Sequence, residues 1–358
     1  MRPTKANVRL DAIVNNYRVA GQLAPASRSI AVIKSNAYGH GLVDVARALE
    51  NEAPVFAVAF FDEAVQLRDA GIRKPVLVLQ GASCAGDIAE AAAKDFWLLM
   101  HHQQQVEWVL SAVLDNPVTI WLKLESGMNR LGFLPQEIDQ VYADLVSSTN
   151  VQAGMVLCTQ LACADEPVSP VTTQQLSIMR SCAGKHKLAM SVANSAAIMN
   201  WPETHAEWNR PGYMLYGIDP CGSYSPDAFG LVPAMTLHSE IITIKELKVG
   251  EGTGYGLDWR AKVASVLGTV AIGYGDGYPR HAPSGTPVLV NGQRVPLVGR
   301  VSMDLISVDL TGLERVEVGN PVELWGKELS VNEVAAAAGT IGYEVLAGLT
   351  GRVPLVYA

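Results

Sequence analysis

Lys34 closes an apolar run of strand length, Ser29-Ile30-Ala31-Val32-Ile33-Lys34, and a turn bracketed by Gly39 and Gly41 then leads into a helical pattern over 42–49. Apolar neighbours disfavour the charged form of a lysine, so an amine placed there is a candidate for imine formation with a carbonyl compound. Tyr38 follows four residues later. If the turn is helix-like, its hydroxyl returns to the lysine's face and could hold an anionic group. The same residues also suit an ordinary strand whose last lysine reaches solvent.

Three further clusters repeat the pattern of an apolar run ending in polar residues. In Trp121-Leu122-Lys123-Leu124-Glu125-Ser126-Gly127-Met128-Asn129-Arg130, a lysine at a strand end precedes an arginine by seven residues. Two cations converging on one site need an anion between them, although a surface pairing with Glu125 fits the spacing equally well. Ser191-Val192-Ala193-Asn194-Ser195 ends a strand in residues that cap helices, and free N–H groups at a helix start suit a phosphate. In Trp208-Asn209-Arg210-Pro211-Gly212-Tyr213, backbone N–H groups of Gly212 and Tyr213 could reach the same phosphate, leaving Arg210 for the ring plane of a ligand. Singly, each cluster reads as a capped helix; gathered at one barrel face, they favour a phosphorylated ligand. Tyr255, between glycines in Glu251-Gly252-Thr253-Gly254-Tyr255-Gly256, is either a loop tyrosine or an exposed acid–base.

The elements that must position these residues alternate. Strand-like runs at 29–34, 55–60, 75–80, 96–100, 118–124, 151–160, 187–192 and 206–210 are separated by helical patterns such as 62–70 and 134–147. Eight such strands predict an α/β fold of the (β/α)8 TIM-barrel type, with chemistry at the carboxyl ends where Lys34, Lys123, Asn194 and Arg210 fall. Beyond residue 230 the texture becomes β-branched runs punctuated by Gly and Pro, at 239–244, 263–272, 288–290, 294–298, 305–310 and 321–325, followed by a helical tail over 335–350. The predicted organisation is a barrel over 1–230 and a mostly β domain over 231–358.

Composition narrows the class. A chain of 358 residues with 49% apolar content suits a two-domain globular enzyme. Its net charge of −8 offers no basic face for nucleic acid or anionic lipid, so neither is expected as a partner. The amino terminus lacks the apolar core of a secretory signal and no run approaches membrane-spanning length, which predicts a cytoplasmic location. Five scattered cysteines show no paired metal spacing and read as free thiols, so no metal is expected.

The motif Ala-Val-Ile-Lys-x-Asn-Ala-Tyr-Gly-His-Gly at 31–41 resembles the cofactor-lysine motif of the alanine racemases, and the resemblance runs from Arg9-Leu10-Asp11 to Arg352-Val353-Pro354. It implies a barrel plus β domain, pyridoxal 5'-phosphate as cofactor, alanine as substrate and a head-to-tail homodimer. By the same resemblance Lys34 would form the imine and serve as base on one face of the substrate, with Tyr255 of the other subunit opposite. Tyr38, Asn194, Ser195, Gly212, Tyr213 and Tyr343 would hold the phosphate, and Arg210 would donate to the pyridine nitrogen. An arginine there makes the ring a weaker electron sink than a carboxylate would, which shortens the carbanion's life and suits racemisation. Arg130, Tyr274 and the Met303 backbone N–H would meet the substrate, and Lys123 matches a position commonly carbamylated. Two departures stand out: Gln160 replaces the family's histidine after the sixth strand, and Glu125-Ser126 replaces Asp-Thr. The resemblance also leaves room for a broad-specificity racemase, a non-catalytic pyridoxal-phosphate carrier or a diamino-acid decarboxylase; the β domain and Tyr255 speak against the carrier.

Overall fold

A computed structural model describes residues 2–221 and 229–358. Its first half is a parallel sheet that closes on itself. The opening strand comes in two pieces, Arg28–Ser29 and Ala31–Val32, because it serves a different neighbour on each edge. Arg28 and Ser29 register with Trp208 and Asn209 of the last strand, while Ala31 and Val32 register with Phe56 and Ala57 of the second. Ile30, between the pieces, donates its N–H to Asn209 O at 2.8 Å. Counted as one strand, it completes eight, with Phe56–Val58, Val76–Val78, Phe96–Met100, Ile120–Lys123, Val156–Cys158, Ala189–Asn194 and Trp208–Arg210 pairing in sequence order.

This is the predicted (β/α)8 barrel. Phe56–Val58, Val76–Val78 and Val156–Cys158 are buried at every position, as expected where helices cover one face of a parallel sheet and packed side chains fill the other. The run 151–160 shrinks to Val156–Cys158, since Val151 makes only an isolated bridge with Val118.

The second half is an antiparallel β domain, also as predicted. Met235–Leu247, Ser265–Val270, Ile306–Asp309, Gln293–Val298, Pro287–Val290 and Pro321–Trp325 form a ring in that order, closed by Pro321–Trp325 pairing back onto Met235–Leu247. The 13-residue strand outruns the expected 239–244 because its two halves have different partners. Along one half it meets Lys5–Val8, and along the other Ser265–Val270.

Lys5–Val8 was not legible as a strand, and it lies in the sheet of the second domain, beside the carboxyl-terminal Leu355–Tyr357. The chain then enters helix Leu10–Leu23, whose Asn16 is fully buried. Its amide donates to Leu215 O (3.0 Å) and Val232 O (2.8 Å) and accepts from Val232 N–H (2.8 Å), tying together the segments on either side of the crossing between domains. The tail expected over 335–350 is two short helices, Val331–Ala337 and Gly342–Ala347. One continuous apolar core runs through both halves. Among the described residues no helix is long and apolar enough to cross a membrane.

Candidate active site

A cavity of about 490 Å³ opens at the carboxyl ends of the barrel strands. Lys34, Tyr38, Lys123 and Arg130 line it, as do Asn194, Ser195, Arg210, Gly212, Tyr213 and Tyr343. Ten residues drawn from five separate stretches of sequence thus meet at one place, because strand ends of a closed barrel converge there.

Lys34 follows the first strand by two residues and starts a turn whose handedness differs from expectation. Ser35, Asn36, Ala37 and Tyr38 all have φ between +52° and +54°, a left-handed turn made of four non-glycine residues. Each such residue costs about 1–2 kcal/mol, so the surroundings must hold it in place. Backbone donors tie it down: Ser35 N–H donates to Glu63 Oε1 (2.6 Å), Gly41 N–H to Asn36 O (3.0 Å) and Leu42 N–H to Asn36 Oδ1 (2.8 Å). Glu63 also accepts from Ala59 N–H at 2.8 Å, which fixes the carboxylate.

The electrostatics are one-sided. Burial lowers the Lys34 pKa, and Arg130 and Arg210 lower it further while Glu63 acts against them, so the amine loses its proton more readily than a free lysine. Lys123 is buried and its pKa is lowered to about 8, again chiefly by burial. No ion pair among the described residues engages Lys34, Lys123, Arg130 or Arg210. The nearby Glu125 does not neutralise them: its carboxylate accepts from the backbone N–H groups of Gly127 (2.5 Å) and Arg130 (3.3 Å). Burial pushes Glu125 up, but these backbone donors outweigh it and its pKa is lowered. A cavity holding four unpaired cations is built for an anion.

Arg210 is buried and held from behind. Its Nη1 donates to Ser191 O (2.8 Å) and Ser191 Oγ (2.7 Å), and its Nη2 to Thr159 O (2.7 Å) and Gln160 Oε1 (3.2 Å). Nε, in contrast, has no partner among the described residues, which leaves one fixed N–H for a ligand on the cavity side.

The phosphate candidates are already interlocked. Ser195 Oγ accepts from Gly212 N–H (2.9 Å) and Met214 N–H (3.3 Å), while Asn194 Oδ1 caps its own short helix through Ala197 N–H (3.0 Å). A Cβ on Gly212 would come within 2.9 Å of the Tyr38 hydroxyl, so only glycine keeps that corner open. Tyr213 stacks on Tyr343 with centroids 3.6 Å apart and donates its hydroxyl to Asn332 Oδ1 (2.9 Å), linking the barrel to the second domain. Burial raises the pKa of Tyr38, Tyr213 and Tyr343, so these hydroxyls stay protonated and can donate. Unpaired cations, buried hydroxyl donors and the free Arg210 Nε fit a phosphorylated, ring-nitrogen cofactor attached to Lys34.

Three predicted residues do not line this cavity. Tyr255 is 70% exposed, Met303 52% and Tyr274 39%. Tyr274 and Met303 are neighbours, for Tyr274 N–H donates to Ser302 O (3.0 Å) and Gly275 N–H to Met303 O (2.8 Å). Tyr255 sits between Gly254 and Gly256, both at positive φ.

At the departures, Gln160 lines the cavity and accepts from Arg210, and its carbonyl accepts from Gln175 Nε2 (3.0 Å). Ser126 shares a 2.6 Å hydrogen bond with Thr159 and accepts from Gln175 Nε2 (3.1 Å), so both altered positions belong to one polar network. Sequence reasoning missed Glu63, Ser191 and His101. His101 lines the cavity just past strand Phe96–Met100, and its place at a strand's carboxyl end was the available signal.

The comparisons agree with this geometry. Family models described as "Alanine racemase, N-terminal domain" and "Alanine racemase, C-terminal domain" match residues 8–220 and 234–357. A biosynthetic alanine racemase of Pseudomonas aeruginosa is 46% identical over 100% of both chains, and a catabolic one of Pseudomonas putida is 45% identical over 100% of this chain and 99% of its own. The crystal structure of the P. aeruginosa enzyme superposes with a TM-score of 0.96 at 46% identity, covering 100% of each chain. The Bartonella henselae enzyme, described with covalently bound pyridoxal phosphate, reaches a TM-score of 0.91 at 27% identity, again over 100% of each chain. Matched in both halves and along its whole length, the chain belongs to the alanine racemase family.

Proposed function

We propose that this protein interconverts L- and D-alanine with pyridoxal 5'-phosphate held in the barrel cavity, using Lys34 and the Tyr255 of a second copy as the two bases. The observation that carries the reading is the meeting of Lys34, its pKa lowered by burial, with the free Arg210 Nε in a cavity of unpaired cations. When bound, the cofactor acidifies the substrate's α-carbon by drawing its electrons into the pyridine ring.

The chain's own residues do the rest. Lys34 Nζ anchors the cofactor and moves the proton on one face, while the Tyr255 hydroxyl does so on the other, since one base alone tends to return a proton to the side it left. Arg210 Nε donates to the ring nitrogen. The hydroxyls of Tyr38, Ser195 and Tyr343, with Asn194 and the backbone N–H groups of Gly212 and Tyr213, hold the phosphate. Arg130 and the Met303 backbone N–H receive the substrate carboxylate, and Tyr274 narrows access to a methyl-sized side chain. With its pKa near 8, Lys123 has a neutral amine available to take up carbon dioxide, and the resulting carbamate would anchor Arg130. The homodimer follows from the need to bring Tyr255 to another copy's cavity. We assign residues 1–230 to the barrel unit and 231–358 to the β unit, with Lys5–Val8 lent to the latter's sheet, in a cytoplasmic enzyme.

The test is D-alanine formation from L-alanine by the purified holoenzyme, combined with borohydride reduction and peptide mapping of the cofactor's attachment point. D-alanine formed, with the label on Lys34, is the expected result. Label on another lysine would overturn the site, and no racemisation by cofactor-loaded protein would overturn the activity.

A further inference from the structure

His40 stands in the lysine motif but does not line the cavity that holds Lys34. Its side chain is fully buried, and Nδ1 lies 3.1 Å from Ala37 O and 2.9 Å from Tyr38 O. Both atoms are carbonyl acceptors, so Nδ1 must carry the hydrogen and Nε2 the lone pair. Nε2 has no partner among the described residues. It belongs to a ring lining a separate cavity of about 120 Å³ that Trp325 of the β domain also lines. One face of the imidazole stacks on Tyr216 at 4.4 Å, and Tyr216 in turn lies 4.9 Å from the Tyr38 ring. Burial lowers the His40 pKa to about 4, which keeps the ring neutral.

The two carbonyls that His40 reaches are the last two of the left-handed turn. Carbonyl directions reverse with the hand of a turn, so a donor that needs both carbonyls together selects one hand. Gly39 closes the turn from the other side, for a Cβ there would lie 2.2 Å from Leu346 O.

We propose that His40 is a positioning residue: its Nδ1–H, shared between the carbonyls of Ala37 and Tyr38, holds the left-handed turn that puts Lys34 and the Tyr38 hydroxyl on one cavity. This rests on Lys34 as the cofactor's attachment point, which the borohydride mapping tests independently. The side chain never touches the reacting atoms. It acts by fixing the backbone that carries them.

The experiment begins with the wild-type holoenzyme labelled with 15N-histidine, the His40 signals being assigned by their loss in His40→Asn. The expected spectrum has hydrogen on Nδ1 and a bare Nε2 throughout the neutral pH range; hydrogen on Nε2 overturns the proposal whatever the activity. The second arm compares His40→Asn, whose amide can take the Nδ1 position, with His40→Gln, whose amide falls nearer Nε2. Asn should keep the visible circular dichroism of the bound cofactor and near-native kcat. Gln should lose part of that signal and about tenfold in kcat, the effect of one lost hydrogen bond, with KM for alanine changing less. Equal behaviour of the two variants overturns the proposal. Should the Gln variant not fold, the Asn variant decides alone: a retained cofactor signal supports the assignment and a lost one overturns it.

Discussion

The barrel cavity and the exposed face of the β domain carry the two halves of the candidate chemistry, and they are built in opposite ways. In the barrel, Lys34, Lys123 and Arg210 stand at or just past strand ends, largely removed from water, with the two lysine pKa values lowered by burial. On the β domain, Tyr255, Tyr274 and Met303 ride on turns and stay open to solvent. A closed barrel can desolvate its own amines. Tyr255, on its glycine-flanked turn, is left exposed by its own chain. The difference teaches that the barrel gathers its candidate groups within one chain, whereas the proposed second base is exposed in that chain.

The largest effect that would sharpen this contrast is at Lys34. Lys34→Ala should remove the visible absorbance of the lysine-bound cofactor and lower racemisation by several orders of magnitude, measured as D-alanine formation. Tyr255→Phe should cost about 10²–10⁴ in rate, the range of a lost general acid–base, while leaving that absorbance intact. Mixing the two inactive variants under conditions that exchange subunits should then restore activity, because a heterodimer would hold one complete site. Exchange proven by mass spectrometry without any regain would break the contrast, since Tyr255 would then serve its own chain.

Lys123 probes the cost of burying cations in the barrel. Its pKa is about 8 in the folded chain against 10.5 for an unperturbed lysine, so between those values the unfolded chain binds more protons than the folded one. Stability of the cofactor-free protein in bicarbonate-free buffer should therefore rise with pH across that window, by on the order of 3 kcal/mol if Lys123 acts alone. The rise should disappear in Lys123→Met, as followed by urea unfolding at several pH values; an equal rise in both proteins would assign it to other groups.

The smallest effect is expected at Gln160, which lines the barrel cavity beside Arg210. A glutamine accepts from Arg210 but takes up no proton, whereas histidine, with an unperturbed pKa of about 6.5, can. Gln160→His should raise the racemisation rate near neutral pH several-fold and move the basic limb of the pH–rate profile downward. An unchanged profile in a folded variant would limit Gln160 to holding Arg210.

Most of the barrel was legible because its signals are local. Apolar runs of strand length recur between helical patterns, and Phe96–Met100 falls where its run places it, as does Pro321–Trp325 in the β domain. The motif residues were legible by type and by resemblance, and ten of them line one cavity. Lys5–Val8 was not, because a four-residue run with two buried side chains carries too little pattern; only its pairing with Met235–Leu247, more than 200 residues away, makes it a strand.

What the sequence by itself determined is therefore the kind of element and the chemical groups at each end, since periodicity and residue type act over a few positions. Tertiary structure alone decided which groups became unpaired and buried, and which stayed in water. It also decided the hand of the turn after Lys34. Four non-glycine residues prefer the right-handed form on their own; the local donors of His40, Gly41 and Leu42 favour the left-handed one together with Glu63 and the close approach of Leu346 to Gly39, and these last two are supplied by the assembled fold.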